Sequence, residues 1–289
     1  MINIKENASD VKKAIKKYGA VGIMYSHNDN GYHYINNSYN DKTNNRAGHA
    51  VMVVGWDDNY SKDNFRDGVK PEKDGAWLIR NSWGDGTGSY YNQSYFWMSY
   101  ETFSLSDTAW VFDFSANDGY DNNYQVDGGL NVAHQSGYRK LANVFTTQAK
   151  QGVSSEDLKA VSMSITSKTN VNYTIEIYTD LKDKTKPTSG TKQETATTKG
   201  QTTYAGVYTI PLKSAVNLKP GTSYSVVVTT DTPAVDLEAA MTGDINDNNE
   251  MVWENHVSSD NTASYYFYGT GLALSLIHIS EPTRRSYIS

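Results

Sequence analysis

Two short blocks decide the fold at the start of this 289-residue chain: AGHAVMVVGW at residues 47–56 and GAWLIRNSWG at residues 75–84. Each block places a polar residue beside an apolar run, with His49 before the first run and Asn81 after the second. The runs predict a pair of buried strands joined by a polar loop. Antiparallel pairing would bring His49 and Asn81 to the same end of the sheet. The amide oxygen of Asn81 could then accept a hydrogen bond from one imidazole nitrogen and leave the other for proton transfer.

A base and the residue that orients it are two parts of a nucleophilic catalytic site, and the third part is the nucleophile. The two blocks resemble the histidine and asparagine blocks of papain-like cysteine peptidases. The resemblance implies that His49 is the catalytic base, that Asn81 holds its ring, and that Trp83 shields their hydrogen bond from water. Either block alone is a weak signal, because a histidine beside an apolar run is more often structural. Both blocks in the family's order make the resemblance specific.

The chain departs from that family in having no cysteine. The family's nucleophile is a cysteine far upstream of the histidine, on a helix in the other half of the fold. The glutamine that helps to form the family's oxyanion hole precedes that cysteine. Only 48 residues precede His49 here. We therefore expect a fragment, the second and β-rich half of a papain-like fold, that does not cleave peptides by itself.

Upstream of the histidine, apolar residues at helical spacing over residues 11–18 predict a helix that Gly19 ends. The helix and the strand after it resemble the opening of the β-rich half in the papain-like family. By that resemblance, Met24 and Ala50 map to walls of the pocket for the substrate's second residue. We place Gly48 in the same substrate-binding set. Ordinary core packing is an equal alternative for Met24 and Ala50.

Composition restricts the partners and the location of the protein. A net charge of −6 and a pI near 5.5 argue against nucleic acid or an anionic membrane as the main partner. No apolar run reaches the length of a transmembrane segment. The 22 tyrosines and the polar composition resemble a secreted bacterial β-protein, so we expect the intact protein to be extracellular or at the cell surface. The family's chemistry implies no metal or organic cofactor, and we interpret His27 and His33 as loop residues because no cluster of ligands completes a metal site.

From about Tyr120 the pattern changes to short alternating strands separated by turn residues, which predicts an antiparallel β-sandwich. Alternation is clearest over residues 171–178. This region resembles the lectin-like domain that follows some bacterial papain-like peptidases, in the runs ANVF at 142–145, YTIEIY at 173–178 and PTSG at 187–190. The resemblance implies cell-surface carbohydrate as a candidate partner. Trp253 and exposed tyrosines could stack on sugar rings, although such residues more often lie in the core or on the sheet surface.

Two segments of this second region receive no functional interpretation. Residues 244–255 begin like a calcium loop, but Asn249 stands where the sharp turn needs glycine and Asn255 where the ion needs a bidentate glutamate. An ordinary polar turn is the preferred interpretation. Residues 274–289 contain LSLIHISEPTRRS, which resembles translated sequencing-adapter read-through, and we exclude them from fold reasoning as an artefact.

The sequence therefore predicts a mostly β (α+β) chain: half of a papain-like fold over 1–114, a β-sandwich over 120–272, and the tail. The expected function is that of a cysteine endopeptidase fragment whose intact form takes a polypeptide substrate. The alternative is a non-catalytic binding or adhesion protein that retains half a peptidase fold, and a pseudo-peptidase with a substituted nucleophile is a third hypothesis. The upstream reading frame distinguishes them, because a Gln followed shortly by Cys-Trp would make an enzyme.

Overall fold

The computed structural model forms two compact units, Met1–Phe114 and Ser115–Ser289. The predicted mostly β class is confirmed, and strands dominate both units. No helix among the described residues is both long enough and apolar enough to cross a membrane. The residues that the structure describes are 1–43, 48–83, 94–113, 119–124, 134–148, 152–166, 168–238, 241–242, 254–255, 264–268, 271–274 and 279–280.

A six-stranded sheet and one α-helix build the described part of the first unit. The elements are α1 (Ala8–Tyr18), β1 (Ile2–Asn3), β2 (Val21–Tyr25), β3 (Tyr32–His33), β4 (Ser38–Tyr39), β5 (His49–Asp57), β6 (Ala76–Arg80), β7 (Tyr95–Ser99) and β8 (Thr108–Ala109). The order of the sheet is β2-β5-β6-β7-β4-β3, and β1 pairs with β8 beside it. Neighbouring strands of the sheet are antiparallel, except that β4 runs parallel to β7.

Helix α1 forms because its apolar side chains fall on one face. Val11, Ala14 and Ile15 are buried, and lysines occupy the other side of the helix. Gly19 ends the helix with a φ of 86°, and its N–H donates to the Ile15 carbonyl at 2.8 Å. Glycine tolerates this left-handed backbone at no steric cost. The helix predicted from the apolar spacing is confirmed.

Strands β5 and β6 are the neighbours that the two sequence blocks predict. They pair in antiparallel register, with Met52 opposite Arg80 and Val53 opposite Ile79. A β-bulge follows Val53 and shifts the register by one residue. The inward faces of both strands are buried, so this pair lies at the centre of the first unit's core.

One ion pair joins helix α1 to the loop that follows β5. Lys12 Nζ lies 2.5 Å from Asp58 Oδ1, and Tyr100 Oη donates to the same oxygen at 2.8 Å. These hydrogen bonds lower the pKa of Asp58. The Tyr100 ring also packs directly against Gly75, where a Cβ atom would lie 2.6 Å from Tyr100 Cε2. Gly75 has a φ of 114°, so both its backbone and its surroundings require glycine.

Gly75→Ala should therefore destabilise the first unit more than Gly68→Ala, its matched control in the same loop. Gly68 also has a positive φ, of 86°, but a Cβ atom there would meet no atom within 4 Å. We expect Gly68→Ala to lower the free energy of unfolding by about 1 kcal/mol and Gly75→Ala by at least ~1 kcal/mol more, because the Tyr100 ring must move. Urea unfolding followed by tryptophan fluorescence measures this unit, which holds every tryptophan except Trp253. Equal losses in the two variants would contradict the prediction.

Two antiparallel sheets make up most of the second unit. The strands are β9 (His134–Tyr138), β10 (Lys140–Thr146), β11 (Glu156–Ile165), β12 (Val171–Thr179), β13 (Thr191–Lys192), β14 (Thr198–Thr202), β15 (Gly206–Leu218), β16 (Ser223–Thr230), β17 (Val235–Glu238), β18 (Met241–Thr242), β19 (Glu254–Asn255), β20 (Ser264–Tyr268), β21 (Gly271–Leu274) and β22 (Ile279–Ser280). The larger sheet has seven strands in the order β13-β12-β16-β10-β20-β21, and its seventh strand, β14, also pairs with β12. The smaller sheet has five strands in the order β15-β11-β17-β9, and its fifth strand, β22, pairs with β11. Strands β18 and β19 pair separately.

The two sheets share one apolar core, which makes the second unit a sandwich. Alternate residues of β12 point into this core, as the period of two predicts, with Tyr173 packed at its margin. Strand β16 lies inside the larger sheet and is buried over most of its length. The core includes Leu141, Phe145, Ile175, Ile177, Tyr224, Val226 and Val228 from the larger sheet and Leu158, Val161, Met163, Ile165, Val216 and Val235 from the smaller one.

The C-terminal tail is not entirely separate from the fold. Leu274 closes β21, and Ile279 and Ser280 pair with Met163 and Ser162 of β11. Of the calcium-like segment 244–255, only Glu254 and Asn255 are described, and they form β19. Phe114, Trp253, His278 and the rest of that segment lie outside the described residues.

Candidate active site

His49 and Asn81 meet where β5 begins and β6 has just ended. His49 Nε2 lies 2.8 Å from Asn81 Oδ1. The same oxygen accepts the backbone N–H of Ser82 at 2.8 Å. The backbone N–H of Asn81 in turn donates to the Ser94 carbonyl at 2.8 Å, which holds Asn81 at the edge of β7. These bonds fix the amide with its oxygen towards the imidazole.

The protonation of the neutral His49 ring follows from this arrangement. An amide oxygen only accepts hydrogen bonds, so Nε2 must carry the proton that it donates to Asn81. The Ser82 N–H identifies which side-chain atom of Asn81 is the oxygen, since a nitrogen there would face a second donor. The other ring nitrogen, Nδ1, is left to take or give a proton. Asn81 is only 4% exposed, so its oxygen meets the ring out of water.

The Trp83 indole lies against the imidazole of His49. The indole stacks on the His49 ring with centroids 4.8 Å apart and planes at 22°. Trp83 is itself 44% exposed. The indole is therefore in contact with the imidazole on one side and exposed to solvent over part of its surface.

The three predicted substrate-binding residues lie beside His49. Met24 of β2 is paired with Ala50 of β5, and the neighbouring pair in the same ladder is Tyr25 with His49. Gly48 precedes the histidine, and its N–H donates to the Tyr25 carbonyl at 3.2 Å. Ala50 is exposed and Met24 half-buried, so neither is an ordinary core residue. A Cβ atom at Gly48 would meet no atom within 4 Å, which leaves the backbone open beside the histidine.

His27 also lies in the site, and the sequence interpretation missed it. Its ring meets the Trp83 indole edge-on, with centroids 4.7 Å apart and planes at 83°. Its Nδ1 lies 3.1 Å from Tyr25 Oη, and its Nε2 lies 3.1 Å from Asp29 Oδ1. Burial is the main reason that the pKa of His27 is lowered from its ordinary value. No spacing in the sequence signals this position, because the path of the loop after β2 brings it there. His33, also interpreted as a loop residue, belongs to the short strand β3.

A buried tyrosine cluster supports the site from below. Tyr25 and Tyr39 are fully buried and pack edge to face, with centroids 5.1 Å apart. Tyr39 Oη donates to Asp41 Oδ2 at 2.7 Å, and the backbone N–H of Ser104 donates to Asp41 Oδ1 at 3.0 Å. Burial raises the pKa of Tyr25 and of Tyr39 well above the ordinary 10.0, so both keep their protons. The hydrogen bonds satisfy the buried Asp41 carboxylate and hold this cluster in one arrangement.

In the described portion of the chain, no group of three or more histidine, cysteine, aspartate or glutamate side chains comes together. What the arrangement offers chemically is a single imidazole with one nitrogen held by an amide and the other available. That is the geometry of a general base and acid that works with a separate nucleophile.

The comparisons with known proteins agree with this division. Residues 1–109 match the model for the papain family of cysteine proteases, and residues 124–270 match the model for the lectin-like domain. The lectin-like match covers just over half of the chain, so the chain belongs to the lectin-like domain family through its second unit. Its first unit resembles the papain family of cysteine proteases. Both families recognised from the sequence are thereby confirmed.

Two solved structures resemble nearly the whole chain. One is the clostridial cysteine protease Cwp84 after propeptide cleavage, with 25% identity, a TM-score of 0.73, and coverage of 95% of this chain and 68% of that one. The other contains the cysteine protease and lectin-like domains of Cwp84, a surface layer associated protein of Clostridium difficile, with 25% identity, a TM-score of 0.66, and coverage of 94% and 61%. This chain thus spans roughly two thirds of the length of the proteins that it resembles. No curated protein sequence matches it.

The assignment of the His49 proton to Nε2 can be tested on this chain by ¹⁵N NMR of the imidazole rings. In the neutral ring we expect Nε2 to be protonated and Nδ1 to carry no proton. Asn81→Leu removes the acceptor at similar volume and should abolish this preference between the two ring forms. Ser82→Ala is the matched control, because only the backbone N–H of Ser82 contacts Asn81. A parent ring protonated at Nδ1 would contradict the geometry.

Proposed function

We propose that this chain carries the base-bearing half of a papain-like cysteine endopeptidase, which hydrolyses peptide bonds once a thiolate is supplied from outside this sequence. The observation that supports the proposal most strongly is the hydrogen bond between His49 Nε2 and Asn81 Oδ1, with the Trp83 indole stacked on the His49 ring. The papain-family match over residues 1–109 supports it independently. The chain has no cysteine, so its own residues can supply the base but not the nucleophile.

In the proposed reaction, the Nδ1 atom of His49 faces the thiol. A free thiol has a pKa of about 8.5, and an adjacent imidazolium lowers that value, so the two groups form an ion pair. The thiolate attacks the scissile carbonyl carbon, and the imidazolium then gives its proton to the departing amine as the C–N bond breaks. In the second half of the reaction His49 takes a proton from water, which hydrolyses the thioester. Asn81 keeps the ring in one orientation throughout, and Trp83 keeps water from competing for the Asn81 oxygen.

The substrate chain is proposed to lie along the open edge beside His49. Met24 and Ala50 are paired across β2 and β5, next to the histidine, and would form part of the wall for the substrate's second residue. The open backbone at Gly48 leaves room for a polypeptide to approach the imidazole. A polypeptide is accordingly the proposed substrate of the intact protein.

The second unit suggests where the intact protein works. Cwp84 is described as a surface layer associated protein that combines cysteine protease and lectin-like domains. By that similarity we assign the intact protein to the cell surface or the extracellular space. Cell-surface carbohydrate is the partner proposed for the sandwich, on the family match alone.

A second candidate function is supported by the absence of cysteine. A chain without a nucleophile can act as a binding or adhesion protein that retains half a peptidase fold. The two proposals differ in what the natural reading frame encodes before Met1, since a nucleophile-bearing half there favours the enzyme. They also differ in the role of His49. The enzyme needs this side chain for turnover, whereas the binding protein needs it at most for folding.

We expect this chain alone to hydrolyse no peptide substrate, and the protein with its nucleophile-bearing half to do so. In that longer protein, His49→Ala should lower turnover by roughly 10²-fold or more, because it removes the proton donor and the ion-pair partner. Asn81→Ala should lower turnover less, because Asn81 orients the base without reacting. Fluorogenic peptides measure these rates. Equal turnover in His49→Ala and the parent would disprove the assignment, and turnover by this chain alone that is lost in His49→Ala would disprove the need for an external thiol.

We propose the domain limits 1–114 and 120–272, and the sandwich core supports an independent second domain. Apolar residues of both sheets fill one core inside the second unit. Expressing residues 116–273 alone should therefore give a soluble domain with a single cooperative urea transition. The first unit without its partner half should show fast amide exchange or association, because surface built to be covered is then exposed. A monomeric, equally cooperative 1–114 fragment would contradict this expectation and favour the binding-protein alternative.

A further inference from the structure

We propose that His27 is a positioning residue of this site, whose neutral ring holds the Trp83 indole over the His49–Asn81 hydrogen bond. The proposal rests on the proposed function, since it gives His27 a part in keeping the catalytic base oriented. It concerns a residue that contacts neither the reacting atoms nor the Asn81 amide. The contacts, the support behind the ring, and the charge of the ring each contribute to the inference.

His27 is held in one orientation and one tautomer. Tyr25 keeps its phenolic proton, because burial raises its pKa, so the phenol donates to His27 Nδ1 at 3.1 Å. The remaining nitrogen, Nε2, then carries the proton and donates to Asp29 Oδ1 at 3.1 Å. Both ring nitrogens are therefore occupied when the ring is neutral. A loop histidine exposed to water would not need two such partners.

The His27 ring is also in contact with a buried ring, that of Tyr39. It stacks on the Tyr39 ring with centroids 5.6 Å apart and planes at 22°. Tyr39 is fully buried, and its hydroxyl is bound to Asp41. Because burial and this hydrogen bond hold Tyr39 in place, the His27 ring has a fixed position against the indole.

Trp83 depends on the two histidines for its position. Among the residues that the structure describes, the rings in contact with the indole are His49, stacked at 4.8 Å, and His27, edge-on at 4.7 Å. With 44% of its surface exposed, Trp83 has solvent on much of its remaining surface. Removing the His27 ring would therefore allow the indole to swing away from His49.

The charge of His27 decides whether this arrangement persists. The described titratable groups around it are Tyr25, Asp29, Tyr32, Tyr39 and His49, with Asp41 behind Tyr39. A protonated Nδ1 could no longer accept the hydrogen bond that the Tyr25 phenol donates to it, and a positive charge would lie near His49. Asp29 favours the charged ring, but burial outweighs it, so the pKa of His27 lies below the ordinary 6.5. The neutral ring is the form at neutral pH, and acidification through the lowered pKa should release Trp83.

The test is a nuclear Overhauser measurement of the contact between the Trp83 indole and the His49 ring in this full chain. In the parent we expect the cross-peaks to be strong at neutral pH and to disappear as the pH falls through the pKa of His27. His27→Ala should lose them at every pH. His27→Phe keeps a ring against Trp83 but cannot take a proton, so it should retain them at neutral pH and through the acidic range.

His33→Ala is the matched control. His33 is a histidine in the same segment, and its ring is not among those that contact Trp83 in the described residues, so its removal should leave the cross-peaks unchanged. Cross-peaks that persist in His27→Ala would overturn the proposal. Loss of the cross-peaks at the same acidic pH in the parent and in His27→Phe would also overturn it, because the pH dependence would then come from His49 or another group. If His27→Ala does not fold, the pH dependence of the cross-peaks in the parent and in His27→Phe still tests the proposal.

The linked stability gives a second measurement with a definite sign. A histidine whose folded pKa is lowered binds more protons in the unfolded state between the two pKa values. The free energy of unfolding of the parent should therefore fall as the pH drops from 6.5 through the lowered pKa, relative to His27→Phe. An identical pH dependence in the two proteins would count against the proposal. These measurements need no turnover, so they can be interpreted even if the peptidase proposal fails. Conversely, if the longer protein hydrolyses peptides while the contact between Trp83 and His49 persists in His27→Ala, the proposal for His27 fails and the peptidase proposal stands.

Discussion

The antiparallel pairing of β5 with β6 is the constraint on which the candidate site depends. Met52 lies opposite Arg80, and Asn81 follows Arg80 directly, so this pairing carries Asn81 towards the start of β5, where its amide oxygen meets His49 Nε2. His49 and Val51 point to the same face, because side chains alternate along a strand. The imidazole is therefore the last group on the face that is otherwise buried. A slip of one residue would turn it to the other face of the sheet, away from the Asn81 amide.

A polar group at the end of an apolar face needs partners, and the first unit supplies them in layers. Asn81 gives the imidazole its acceptor, and Ser82 and Ser94 hold Asn81. Below this layer Tyr39 and Asp41 are buried together and bound to each other. Each hydrogen bond contributes about 0.5–1.5 kcal/mol net, and leaving one unmade in the interior costs at least as much. The site is therefore supported by groups that cannot rearrange singly.

The second unit is stabilised by a different principle. Its two sheets bury a common apolar core, and the alternation of each strand assigns its residues to the inside or the outside. In the described part of that core, the packed side chains are mainly apolar and come from both sheets. The division between a unit organised around a histidine and a unit organised around sheet packing agrees with the two family matches.

The sequence by itself determined the features that depend on a local period or on a short motif. Helical spacing predicted α1, strand alternation predicted the sandwich, and the two blocks placed His49 beside Asn81, because each block ties a polar residue to the end of a strand. Tertiary structure alone decided that His27 reaches Trp83, since the aperiodic loop after β2 sets its path. It also decided that Ala50 is exposed and that Ile279 and Ser280 add to β11, because exposure and edge pairing depend on which surfaces neighbouring elements leave uncovered.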